Sequence, residues 1–157
     1  MMETSHQAIE TGLVAPMSAQ TVIDCLALQR HPEGGWFRET FRDKGEDRGT
    51  DISTAIYYLL EAGQKSHWHR LHNASEVWHF HLGAPLQLEL WNDGLFSVLR
   101  LGTEIASGYS PQAVVPKLVW QSARSLGSYS LMSCTVAPAF DFDAFELAPR
   151  DWSPCLG

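Results

Sequence analysis

The sequence predicts an all-β fold, a barrel or two-sheet jelly roll preceded by one helix. Three observations carry that expectation. Only one early stretch has helical spacing, at residues 18–29. From Trp36 onward, short segments rich in aromatic and branched residues alternate with turn chemistry. One pair of segments, Leu86–Trp91 and Leu95–Leu101, flanks Asn92-Asp93-Gly94, a strong hairpin signal. About eight to ten such strands after a single helix suit a closed or two-sheet β architecture.

Taken in order, residues 1–16 are polar and aperiodic, and are expected to form a disordered tail. Residues 17–157 then form one domain. Ser18 is placed to cap a helix running to about Gln29, with Val22, Ile23, Leu26 and Cys25 toward its apolar side. Arg30-His31-Pro32-Glu33-Gly34-Gly35 reads as a turn, because proline and paired glycines interrupt helices. In Trp36–Phe41 the alternation puts Phe37, Glu39 and Phe41 on one face. Ser53–Leu60 reads as a buried strand. Later strands are expected at Gln112–Val115, Val119–Ala123 and Tyr129–Val136.

Composition narrows the function classes. Eleven basic residues face eighteen acidic ones, a formal charge of −7, and the three lysines are scattered. Sequence-independent nucleic-acid binding needs a basic stripe, so no nucleic-acid partner is expected. No anionic membrane partner is expected either, and no apolar run is long enough to span a bilayer. Three dispersed cysteines and a start without signal-peptide character fit a cytoplasmic protein.

Five of the seven histidines lie between His67 and His81. Imidazole is the side chain best suited to move protons or bind metals near neutral pH. Strand parity divides the group. If Glu76 points inward, so do Trp78, Phe80 and Leu82, while Val77, His79 and His81 point outward. His72 falls in the turn.

The run His69, Leu71, Glu76, Gly83 resembles the first motif of the cupin superfamily, HxH, a short spacer, Glu, six residues, Gly. Leu71 stands where the second histidine would, and His67 offers a substitute two residues before His69. Pro116–Ala123 resembles the second motif, PxGxxHxxxN, with Gln121 at the histidine position. The blocks HPEGGWFRET (31–40), HRLHNASEVWHFHLG (69–83) and residues 115–148 resemble a family of short single-domain cupins. That family consists mostly of uncharacterised proteins labelled as predicted sugar epimerases. The resemblance implies a double-stranded β-helix barrel, a small-molecule ligand and a homodimer.

For chemistry, the resemblance and the parity together single out His69 and Glu76 as catalytic candidates. Glu39, Trp78 and Gln121 are candidate pocket residues. His67, His69, Glu76 and Gln121 would be the ligands if a divalent metal is bound, although glutamine is a poor transition-metal ligand. The cofactor stays open between a divalent metal ion and none. Three functions follow: an epimerase- or isomerase-like enzyme acting on a sugar or sugar-nucleotide, a metal-dependent oxygenase, decarboxylase or isomerase, or a non-catalytic ligand binder. In the first, His69 is the base and Tyr57, Tyr58 or Tyr129 the acid. Phe140, Phe142 and Phe145 are expected to pack as a lid.

Overall fold

The computed structural model describes residues 17–45, 49 and 51–154. The expected tail at 1–16, with His6, lies outside them, as does Cys155. One helix, α1 (Ala19–Cys25), precedes eleven strands. These are β1 (Gln29–Arg30), β2 (Trp36–Asp43), β3 (Ser53–Glu61), β4 (Lys65–Leu71), β5 (Ser75–Gly83) and β6 (Leu86–Asn92). After them come β7 (Leu95–Leu101), β8 (Gln112–Val115), β9 (Trp120–Ser125), β10 (Tyr129–Ala137) and β11 (Phe145–Leu147). They form two antiparallel sheets, ordered β1-β2-β3-β10-β5-β8 and β11-β4-β9-β6-β7. The expected all-β jelly-roll barrel with one N-terminal helix is what the chain forms.

The helix is shorter than expected. Ser18 caps it, accepting from the Thr21 amide at 3.1 Å. Ala27 has φ of 50°, which ends it before Gln29, and Gln29 and Arg30 instead pair with β2. Seven residues are too few to be stable alone. Burial of Val22 and Ile23 against Leu59, Tyr129 and Leu131, outside the six-stranded sheet, holds the helix in place. That cover explains why Tyr58, Leu59 and Leu60 are all buried: Tyr58 and Leu60 face the barrel interior, Leu59 the helix.

The β6–β7 hairpin forms as expected. Asn92 pairs with Leu95, so Asp93 and Gly94 make a two-residue turn, both at positive φ (45° and 90°). The two short strands that the pattern missed, β1 and β11, lie at sheet edges. Each has too few residues to show a period.

Three bulges break the simple parity. On β2, Glu39 pairs with Ile56 and Phe41 with Ala55, leaving Thr40 extra, so Glu39 and Phe41 do not share a face. On β4, Ser66 pairs with Ala123 and His69 with Gln121, so His67 and Trp68 oppose Ser122 alone. On β5, Phe80 pairs with Met132 and Leu82 with Leu131, leaving His81 extra. Leu82 is thereby turned outward under α1, contrary to the simple count. Glu76 and Trp78 precede that bulge and keep the expected inward face.

The interior divides along the barrel. Trp78, Leu86, Leu88, Leu101 and Met132 fill one end. The other end stays hollow, and the turn at 31–35 closes over it. Among the described residues no helix is long and apolar enough to cross a membrane.

Candidate functional site

The hollow end is a cavity with about 80 Å³ open to the centres of water molecules. Its walls come from both sheets. Phe37, Ile56, Glu76 and Cys134 stand on the six-stranded side, and His69 and Leu71 face them from β4. His31 and Glu33 come from the turn before β2, and Phe140, Phe142 and Phe145 from the segment before and into β11.

His69 is 3% exposed. Its Nδ1 lies 2.8 Å from the His67 carbonyl oxygen. A carbonyl can only accept, so Nδ1 carries the proton and the neutral ring keeps its lone pair on Nε2. Burial lowers its pKa below the ordinary histidine value, against the opposing pull of Glu76. Burial thus favours the neutral ring, the form a base requires. Phe145 covers it, with ring centroids 5.4 Å apart.

Glu76 is held from behind. Gln121, 1% exposed, donates Nε2–H to Glu76 Oε2 at 2.6 Å, and its Oε1 accepts from Trp78 Nε1 at 2.9 Å. Burial raises the Glu76 carboxyl above its ordinary value, with His69 opposing. Gln121 and Trp78 are thus corrected from wall residues to supports: both sit behind Glu76, and neither lines the cavity.

Glu39 does line the cavity, at its mouth, and is not free. Arg42 donates to both its carboxylate oxygens, at 3.0 and 2.8 Å, and also to Asp51 at 2.8 Å and to the Phe140 carbonyl. Arg42 thereby ties the aromatic segment to β2. Phe140, Phe142 and Phe145 pack on one another, with centroids 4.9–6.3 Å apart, as an aromatic cover.

His67, expected as a substitute ligand, does not reach the cavity. The β4 bulge rotates it away, and its Nε2 bonds the Pro149 carbonyl at 2.9 Å rather than reaching the cavity. His72 lies in the turn and bonds Glu146. His79 and His81 lie on the outer face, bonded to Gln112, Thr135 and Ser133. None of the three tyrosines considered as an acid lines the cavity. Tyr57 and Tyr129 are on the outer face, and the Tyr58 hydroxyl donates to the Gly34 carbonyl at 2.6 Å.

A metal fits these residues poorly. The indole of Trp78 can only donate, so it fixes the Gln121 oxygen toward itself and turns the NH2 group, which cannot ligate, toward Glu76. Leu71 occupies the second histidine position, and His67 is turned away. Among the described residues, no three His, Cys, Asp or Glu side chains come together in a way that could hold a metal ion.

Sequence reasoning missed two residues, His31 and Glu33. Glu33 is 8% exposed, and its Oε1 accepts from Ser66 Oγ at 2.9 Å. Its Oε2 lies 3.4 Å from His69 Nδ1 and 3.7 Å from His31 Nδ1. Burial raises its pKa and lowers that of His31. The turn that carries them is set into the barrel. A Cβ on Gly34, where φ is 110°, would overlap the Lys65 carbonyl oxygen. The available signal was a histidine and a carboxylate between a proline and two glycines, in a turn needing close approach.

Comparison with known proteins agrees with the architecture. A family described as "Cupin superfamily (DUF985)" matches residues 20–148. The chain is 29% identical over 150 residues to "Uncharacterized protein YML079W" of Saccharomyces cerevisiae, covering 82% of this chain and 74% of that protein. Protein SO0799 from Shewanella oneidensis has a TM-score of 0.81 at 36% identity, with 85% of each chain covered. A hypothetical protein from Leishmania major has a TM-score of 0.77 at 30% identity, covering 84% of this chain and 88% of that one. A dTDP sugar isomerase from Desulfovibrio desulfuricans G20 shares the fold alone: TM-score 0.56, 13% identity, 79% of this chain and 88% of that one. An oxalate decarboxylase from Bacillus subtilis does likewise, at TM-score 0.57 and 13% identity, over 75% of this chain and 29% of that one.

Proposed function

The chain belongs to the cupin superfamily, in the family described as DUF985, and on that fold we propose that it is an isomerase- or epimerase-like enzyme. Its cavity takes the reacting end of a small polar molecule, a sugar or sugar-nucleotide, and exchanges a carbon-bound proton beside a carbonyl. The observation that carries this reading is the His69 ring. It is buried, neutral, committed through Nδ1 to a backbone carbonyl, and left with a bare Nε2 at a cavity wall. Such a group is a base with its tautomer set in advance.

Geometry also supports a second proton carrier. Glu76 comes from the sheet facing β4, and burial favours its protonated form. In this reading His69 takes the proton and Glu76, rather than a tyrosine, returns one from the facing wall. The carboxyl groups of Glu33, Glu39 and Glu76 in the lining favour a neutral polar end over a phosphate. The aromatic cover suits the apolar face of a sugar ring.

Incubation in D2O with a panel of keto-sugars and nucleotide-linked sugars, followed by proton NMR, tests the reading. At least one compound is expected to lose a single carbon-bound proton signal, and His69→Gln to stop that loss. Exchange that persists in His69→Gln, or no exchange with any compound, overturns it.

A homodimer belongs to the same proposal. Phe41, Ala55, Thr135, Val77 and Val114 form one row across five strands on the outer face of the six-stranded sheet. Phe41 and Val114 are 54% and 53% exposed, an apolar row that a second copy would cover.

A further inference from the structure

The two imidazoles at the cavity are in opposite tautomers. His31 Nδ1 accepts the Glu33 backbone N–H at 3.3 Å. An amide N–H can only donate, so the neutral His31 ring must carry its proton on Nε2. His69 is the reverse, with its proton on Nδ1 and its lone pair on Nε2. Both rings line the same cavity, and among the described residues neither Nε2 has a protein hydrogen-bond partner. The lining thus offers a donor from one ring and an acceptor from the other.

The His31 ring is held in place. Its edge-on contacts with Phe37 and Tyr58 have centroid distances of 4.5 and 5.7 Å, at 85° and 88°. The turn around it is closed by His31 N–H to the Gly35 carbonyl at 3.1 Å and Gly34 N–H to the His31 carbonyl at 3.0 Å. Its side chain is only 7% exposed.

We propose that His31 is a catalytic residue, the neutral electrophile whose Nε2–H donates to the substrate carbonyl oxygen while His69 Nε2 removes a proton from the adjacent carbon. This rests on the proton-exchange reading above. The C–H bond breaks and its proton moves to His69 Nε2, giving an imidazolium whose Nδ1–H faces the His67 carbonyl and Glu33. The electron pair moves onto the carbonyl oxygen, which becomes an enolate oxygen held by His31. His31 keeps its own proton throughout. A neutral imidazole suits this role because its hydrogen bond strengthens as negative charge develops on the oxygen.

Long-range ¹H–¹⁵N correlation spectra of histidine-labelled protein test the tautomers without any substrate. Assignment uses the His31→Gln and His69→Gln variants. The expected result is Nε2–H for His31 and Nδ1–H for His69; Nδ1–H at His31 overturns the proposal whatever the protein catalyses. The second arm uses the sugar from the panel that exchanges its proton fastest. Removing one oxyanion donor typically costs about 10²–10³ in rate. His31→Leu is therefore expected to slow kcat by about a hundredfold or more with little change in KM, and His31→Gln, which keeps a donor, to recover part of it. If His31→Leu exchanges as fast as wild type, or if the glutamine is no better than the leucine, the proposal fails. Wild-type protein that exchanges nothing, with the expected tautomers in place, overturns the base chemistry and the electrophile with it.

Discussion

Trp78 donates its indole N–H to Gln121 Oε1 at 2.9 Å, and that contact decides what Gln121 can do. With its oxygen committed to Trp78, the amide turns its NH2 to Glu76 and serves a carboxylate instead of a metal.

Protein purified without a polyhistidine tag and offered iron, manganese, nickel or zinc is accordingly expected to retain well under one equivalent after desalting. Elemental analysis checks this. A stoichiometric metal would mean that Gln121 reorients, breaking the Trp78 contact.

Replacing Gln121 by leucine should leave the indole N–H unpaired in the barrel and take the amide donor from the Glu76 carboxyl. Stranding a buried polar group costs about 1–3 kcal/mol, so a loss of roughly 2–5 kcal/mol is expected by urea unfolding. A variant as stable as wild type would show that the trio contributes little.

Stability should depend on pH through the buried rings. His31 and His69 are held below their ordinary value of 6.5 by burial. The unfolded chain therefore binds protons that the folded rings refuse. The contribution is complete above 6.5 and is lost as pH falls toward the lowered folded values. Glu33 and Glu76, raised above 4.5, act oppositely: their contribution is present below 4.5 and is lost as pH rises through the raised values. Between about pH 7 and pH 5, His31→Leu should flatten the acid limb by up to about 1.4 kcal/mol per pH unit. Urea midpoints across that range measure it, and an unchanged slope contradicts it.

The apolar row on the outer sheet face predicts a dimer by light scattering. Phe41→Glu combined with Val114→Glu places two charges in that row and should yield a folded monomer. A dimer that survives both changes must use another face.

Much of the fold was legible in residue order. Val22 and Ile23 mark the side on which the helix packs, Asp93-Gly94 marks the hairpin, and Glu76 with Trp78 keeps the inward parity of β5. The candidate site was legible only in part. His69 and Glu76 followed from motif spacing, but His67 looked equivalent to His69, and Glu39 and Phe41 looked like neighbours on one face. Each error traces to a bulge, which depends on the partner strand and leaves no period of its own.

By itself, the sequence determined the strand-rich architecture, the one helix and the stretch in which the chemistry concentrates, because these follow from local periodicity and turn preference. Only the tertiary structure decided which imidazoles meet. His31 is distant from His69 in the chain and sits in what reads as a plain turn. The packing of Gly34 against β4 and of Tyr58 beneath the turn brings it to the cavity. Tautomers, too, are set by partners: a backbone amide for one ring, a backbone carbonyl for the other. Those partners become neighbours of the cavity only when the barrel closes.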